Sequence, residues 1–220
     1  MKNLIKYLKS TKGQSLAEFA VTTAMMATLA TTAAPKFSGV GEGAKEKKTL
    51  ADIDKIVKSS NNFYNAKVTG DGRGRFPGQA KYNSPVPDGS MEYVVTTSDG
   101  IDVAASEQLL IAAVKLFTTY DNAEAGNWSS VFGELHEEAT APHTLLNDAE
   151  NPVGTDFTEG NGCEEYLNEF GGNAIKSPFQ DGHYIYVVIP GSGSGTSSVS
   201  PILYVADLES PANFNKKLQP

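Results

Sequence analysis

Residues 14–34, QSLAEFAVTTAMMATLATTAA, constrain the chain most: they contain a single charged residue, Glu18, and neither glycine nor proline. A stretch of this length suits a membrane span, which needs about 20 residues. Its hydrophobicity is moderate, since Ala and Thr dominate and the bulky apolar side chains are Leu16, Phe19, Val21, Met25, Met26 and Leu29. Before it come Lys2, Lys6, Lys9 and Lys12 with no acid. That asymmetry predicts a short cytoplasmic tail with the rest of the chain outside.

Three readings of this opening compete. An ordinary secretory signal would use Lys2–Lys12 as its basic region and cut near Thr31-Thr32-Ala33. Against it stands Glu18, because a carboxylate inside the apolar region costs about 2.5–3.5 kcal/mol on insertion. Pro35 directly after Ala34 also makes the obvious cut awkward. A plain N-terminal anchor leaves Glu18 equally unexplained, and a lone intramembrane carboxylate points to function.

The third reading uses all the odd features together. Lys12-Gly13 followed by Gln14-Ser15-Leu16-Ala17-Glu18-Phe19 resembles the class III signal of type IV pilins and pseudopilins. Glu18 is fifth after Gly13, and Pro35 is twenty-second, the register that family uses. Gln14 stands where the family usually has Phe. The resemblance implies cleavage between Gly13 and Gln14 by a prepilin peptidase and methylation of the new N-terminus at Gln14. It further implies insertion in the inner membrane and polymerisation, on an inner-membrane assembly platform, into an extracellular pilus or a periplasmic pseudopilus. Leu16, Glu18, Phe19 and Pro35 would then serve filament assembly. The amine of Gln14 would be a charge buried among helices, and such a charge persists only when paired. Glu18 of a neighbouring subunit is the partner the resemblance supplies.

This reading sets the expected organisation: a leader over residues 1–13, a helical spine over 14–66 and a head over 67–220. Within the spine, 14–34 would form the membrane and filament-core segment and 35–43 a hinge. Pro35, Gly39, Gly41 and Gly43 weaken a helix there, since proline costs about 3 kcal/mol in a helix interior and each glycine about 1. From Ala44 the pattern becomes helical, with Leu50, Ile53, Ile56, Val57, Phe63 and Tyr64 at spacings of three and four. That helix should end near Asn65, with Gly70, Gly72 and Gly74 beyond it. TGDGRGRFPG, residues 69–78, lacks the Lys-Ser/Thr of a phosphate loop and follows a helix, so it reads as a turn. Its Gly74-Arg75-Phe76-Pro77 also echoes type II secretion pseudopilins.

The remainder reads as α+β, a small antiparallel sheet against the long helix with additional helices. Strands are expected over 91–97, 183–190 and 201–209, with the flexible GSGSGTSSVS between the last two. A helix is expected over 105–120, capped by Ser106, with Leu109, Ala113, Leu116, Phe117 and Tyr120 on one face. A shorter one is expected over 129–139, and 140–182 reads as loop.

The chemistry expected of the head is slight. His136, His143 and His183 show no metal spacing, no Gly-x-Ser-x-Gly elbow is present, and catalysis is not expected. The single cysteine, Cys163, excludes an intrachain disulfide and reads as a buried thiol. Asp148, Glu150, Asp156 and Glu159, with Asn161, crowd one segment and offer the hard oxygen ligands calcium prefers, although solvated loop acids are the simpler reading. The net charge of −8 argues against nucleic-acid binding. The function expected is therefore a non-catalytic subunit of a type IV pilus-like filament that associates with itself. A type II secretion pseudopilin is the alternative within the family. A secreted soluble binding protein with an ordinary signal peptide is the alternative outside it.

Overall fold

The computed structural model describes residues 41–119, 124, 126–132, 162–179 and 183–220. The chain divides into two compact units, Met1–Glu46 and Lys47–Pro220. Of the first, only the helical residues 41–46 are described. The second has a four-stranded antiparallel sheet with helices on both of its faces.

The first described helix, α1, covers 41–71. It includes Gly41 and Gly43 and continues six residues past Asn65, so it is longer at both ends than the sequence pattern predicts. Its end is set at Gly72, whose φ of 76° is a conformation that costs glycine least. The Gly72 N–H bonds to the Val68 carbonyl at 3.1 Å, satisfying one of the last open carbonyls of the helix. Gly70 lies inside the helix and does not stop it.

A two-stranded ribbon follows, β1 (Thr96–Thr97) with β2 (Gly100–Ile101), paired antiparallel around Ser98-Asp99. The expected strand over 91–97 thus shrinks to its last two residues and lies outside the main sheet. Turns at Ser90 and Val94 occupy the rest, and Tyr93 is drawn into the core beside Trp128.

Helix α2 spans Val103–Leu116. Its cap is Asp102, which accepts the Ala105 N–H at 3.0 Å, in place of the expected Ser106. Ser106 is buried instead, donating to the Asp102 carbonyl and accepting from the Val95 N–H at 2.8 Å. The helix starts two residues earlier than expected. Val103, Ser106, Leu110 and Val114 form the buried face. Leu109 and Leu116, expected inside, are 44% and 83% exposed.

The main sheet has the order β3-β4-β5-β6: Ser129–Ser130, Tyr184–Ile189, Ile202–Asp207 and Asn215–Leu218. β3 falls where a short helix was expected and β6 where no element was, while the two central strands lie where the sequence places them. Helix α3, Gly162–Glu169, sits within the span read as loop. Antiparallel sheets often leave one face wet and then alternate apolar with polar residues. Here YIYVVI and ILYVAD do not alternate, and every residue of both central strands is buried. Ile185, Val187, Ile189, Ile202, Tyr204 and Ala206 face one core with Leu110 and Val114 of α2 and Phe117 just beyond it. Tyr184, Tyr186, Val188, Leu203 and Val205 face the other with Ile53, Ile56 and Val57 of α1 and Tyr166 of α3. Each fully buried side chain of this size contributes about 1.5–3 kcal/mol, so α1 is bound to the sheet mainly by apolar packing.

The edge strand β6 joins both layers. Its register places Lys216 opposite Val205 and Lys217 opposite Tyr204, on opposite faces. Lys216 pairs with Asp54 of α1, and Lys217 with Glu107 of α2. Lysines on an edge strand also discourage pairing with another sheet.

Candidate functional site

Among the described residues, apolar packing and polar contacts hold α1 to the sheet. α1 buries Thr49, Asp52, Ile53, Ile56, Val57, Ser59, Ser60 and Phe63, a single stripe at helical spacing. In the middle of the seam Ser60 bonds the Ile56 carbonyl at 2.8 Å, and its hydroxyl lies 2.9 Å from that of Tyr166.

A polar cluster lies at one part of this seam. Asp52 is buried and accepts from Lys55 at 2.7 Å, with Lys48 at 3.9 Å. The Tyr184 hydroxyl donates to it across the seam at 3.4 Å. Asp207 is the cross-strand partner of Tyr184 and is also buried. It accepts from the Ser177 hydroxyl and, at 3.1 Å, from the Glu209 N–H. Burial raises the Asp207 pKa above the usual aspartate value, against the hydrogen bonds from Ser177, Glu209 and Ser210. Burial, followed by the charges of Asp52 and Asp207, keeps the Tyr184 phenol protonated far above neutral pH. Both carboxylates are engaged by donors, so the cluster ties α1, the sheet and the Ser177 segment together.

A second tie fixes the turn after α1. Arg75 forks onto Glu165 of α3, with N–O distances of 3.1 and 2.6 Å, and also donates to the Gln79 carbonyl at 3.0 Å. Glu165 accepts the Gly78 N–H at 2.8 Å. Gln79 then closes the turn, accepting from the Phe76 N–H and donating to the Tyr82 and Ser84 carbonyls. The Arg75 guanidinium lies over the Phe63 ring at 5.1 Å, which brings the last turns of α1 into the same knot. Gly78 and Gly162 pass on either side of the Tyr186 hydroxyl. A Cβ on Gly162 would lie 1.8 Å from that oxygen, and one on Gly78 2.3 Å. The stretch 69–78, read as a turn, is helical over 69–71 and leaves the helix from Gly72 on, where Arg75 anchors it to α3.

Gly13, Gln14, Leu16, Glu18, Phe19 and Pro35 lie outside the described residues, as do Asp148, Glu150, Asp156, Glu159 and Asn161. His136 and His143 also lie outside. Cys163 is buried and not in a disulfide, as the sequence predicts. Among the described residues no group of three His, Cys, Asp or Glu side chains is placed to hold a metal ion. Among them, too, no helix is long and apolar enough to cross a membrane. Sequence reasoning missed Asp52, Asp207, Arg75 and Glu165 as members of these ties. Asp52 was the legible one, because it falls between Thr49 and Ile53 on the apolar stripe of α1.

The fold defines an α+β unit, helices on both faces of an antiparallel sheet. No protein-family model, curated protein or solved structure matches the chain.

Proposed function

We propose that the chain is the structural subunit of a type IV pilus-like filament. It is cut between Gly13 and Gln14, and residues 14–34 pack against copies of themselves. One observation carries the reading: Gly13, Glu18 and Pro35 stand in the pilin register around a stretch whose only charge is Glu18. A carboxylate there has no use in a signal peptide and is costly in a bare anchor. Paired with the Gln14 amine of a neighbour it becomes a registry device, neutral only when subunits join.

The α+β unit supports the reading in a further way. A subunit polymerising through one segment must carry load between that segment and the rest of the chain. α1 is held by an apolar seam, by Lys216 to Asp54 and by the Asp52–Tyr184 contact.

The test is Glu18→Ala in the full chain. The variant should insert and be cleaved as before while the yield of sheared filaments falls at least about tenfold, the loss expected when a buried amine is left unpaired. Normal filament yield would sink the proposal. Soluble protein alone in the sheared fraction, from the unmodified chain, would favour the secreted binding protein.

A further inference from the structure

Two surfaces of the 47–220 unit are opposite in charge, and neither is neutralised among its described residues. The outer face of α1 carries Lys47, Ala51, Lys55 and Lys58 at spacings of four, four and three, all exposed. Lys48 flanks them on one side and Leu50, 46% exposed, on the other. Asp52 lies beneath Lys48 and Lys55, and Asp54 is held by Lys216, so the face remains positive. Lys47 and Lys58 make no hydrogen bond or ion pair among the described residues.

The second surface is acidic. From residue 82 to residue 114 the chain holds Asp88, Glu92, Asp99, Asp102 and Glu107 and no lysine or arginine. Asp102 caps α2 and Glu107 is taken by Lys217 and Tyr204. Asp88, Glu92 and Asp99 are exposed, and their carboxylates make no ion pair among the described residues. Between Asp88 and Glu92 the side chain of Met91 stands 55% exposed. Each surface thus has an uncovered apolar residue with charges around it, acidic at Met91 and mixed at Leu50, whose neighbours one helical turn away are Glu46, Lys47 and the Lys216-bound Asp54.

We propose that these are the two halves of one interface: the lysine face of α1 on one copy receives the Asp88–Glu92 loop of a second copy of this chain. Leu50 and Met91 meet at its centre, with Lys47 and Lys58 opposite Asp88 and Glu92. The inference deepens the filament reading and rests on it for the choice of a second copy as occupant. The charge argument is independent of that choice. At a net charge of −8 the copies repel at long range, so they touch stably only where local signs oppose. In a filament the contact between these unlike halves runs head to tail, each copy giving its loop to one neighbour and its helix face to another. Such a contact leaves a free half at each end and extends into an open assembly wherever the rotation between copies does not close a ring.

The experiment is zero-length carbodiimide cross-linking of the full chain, mixed as isotopically light and heavy copies. Mass spectrometry then finds amide bonds joining a light peptide to a heavy one. The result expected is mixed-label links from Lys47 or Lys58 to Asp88 or Glu92. They cannot form in a Lys47→Glu/Lys58→Glu variant, which offers no amine at these positions and serves as the blank. In the unmodified chain they should fall in about 1 M salt, where the screening length is about 3 Å. In the charge-reversed mixture, that variant with Asp88→Lys/Glu92→Lys, mixed-label links between residues 47 or 58 and 88 or 92 should return. Absence of mixed-label links at these residues, or links insensitive to salt, would overturn the interface. Filaments of chains starting at Gln14 that lack the links would overturn the interface and leave the filament reading intact. The links in chains that start near Ala34 would do the reverse.

Discussion

Glu165→Gln isolates what the Arg75 tie contributes. The substitution keeps the shape of the side chain and leaves one oxygen for the Gly78 N–H, 2.8 Å away in the unmodified chain. It removes the charge that Arg75 meets at 2.6 Å, and the guanidinium becomes a cation without its counter-ion. The two side chains are 19% and 18% exposed. An exposed pair is worth about 0–1 kcal/mol and a fully buried one costs about 3–5 kcal/mol to break. At this degree of burial, with two forked bonds and a retained Gln79 contact, a loss of about 2 kcal/mol is expected. For a chain of this length that corresponds to a fall in Tm of roughly 4–8 °C. Thermal unfolding of the full chain followed by circular dichroism measures it. A double-mutant cycle with Arg75→Met separates the pair from its surroundings, and a coupling of at least about 1 kcal/mol is expected. A Glu165→Gln variant within about 0.5 kcal/mol of the unmodified chain would refute the reasoning, because such a value belongs to an ordinary surface position.

Three further expectations can be checked by the same unfolding measurements. Gly162→Ala puts a methyl 1.8 Å from the Tyr186 hydroxyl, in the core where Gly78 also passes, and should destabilise by about 1–3 kcal/mol; Tyr186→Leu in the same chain should lessen that penalty. Leu110→Ala should cost about 2–5 kcal/mol, since Leu110 is wholly buried, whereas Leu116→Ala, at 83% exposure, should stay within about 0.5 kcal/mol; equal effects would contradict the assigned face of α2. The pKa of Asp207 is raised by burial above its ordinary value of 3.8, so the folded state binds the proton more tightly than the unfolded one. Its contribution is full below 3.8 and is lost as pH rises through the folded value. The stability of Asp207→Asn relative to the unmodified chain should therefore increase from about pH 4 towards pH 7, and a pH-independent difference would count against that reading.

What was legible in the sequence follows from the kind of signal each element leaves. α1 and the central strands are long and carry unbroken apolar patterns, so Ile53, Ile56 and Val57 and the runs YIYVVI and ILYVAD are placed correctly. β3 is two serines, and β6 is Asn-Lys-Lys-Leu; neither has β character of its own. They are strands because backbone partners on β4 and β5 hold them there. The stretch 91–97 shows the reverse. It is rich in strand formers, yet the sheet has no place for it and Tyr93 is worth more in the core beside Trp128. The face of α2 is not legible from its apolar pattern alone. Leu109, Leu110, Ala113, Val114, Leu116 and Phe117 offer apolar residues on two adjacent faces, and packing on the sheet selects Leu110, Val114 and Phe117. The ties at Asp52–Tyr184 and Arg75–Glu165 join residues 132 and 90 positions apart, and no local pattern announces such pairs. The cleavage and assembly residues are the opposite case, since their whole signal is local register: Gly13, Glu18 and Pro35.

The most direct test of the filament account is the N-terminus of the mature protein, read by mass spectrometry on cell-associated and sheared fractions. The account predicts a peptide beginning at Gln14, with the sheared fraction carrying the same start. A mature chain beginning near Ala34 or Pro35 would contradict it, because the segment that is to build the filament core would have been discarded.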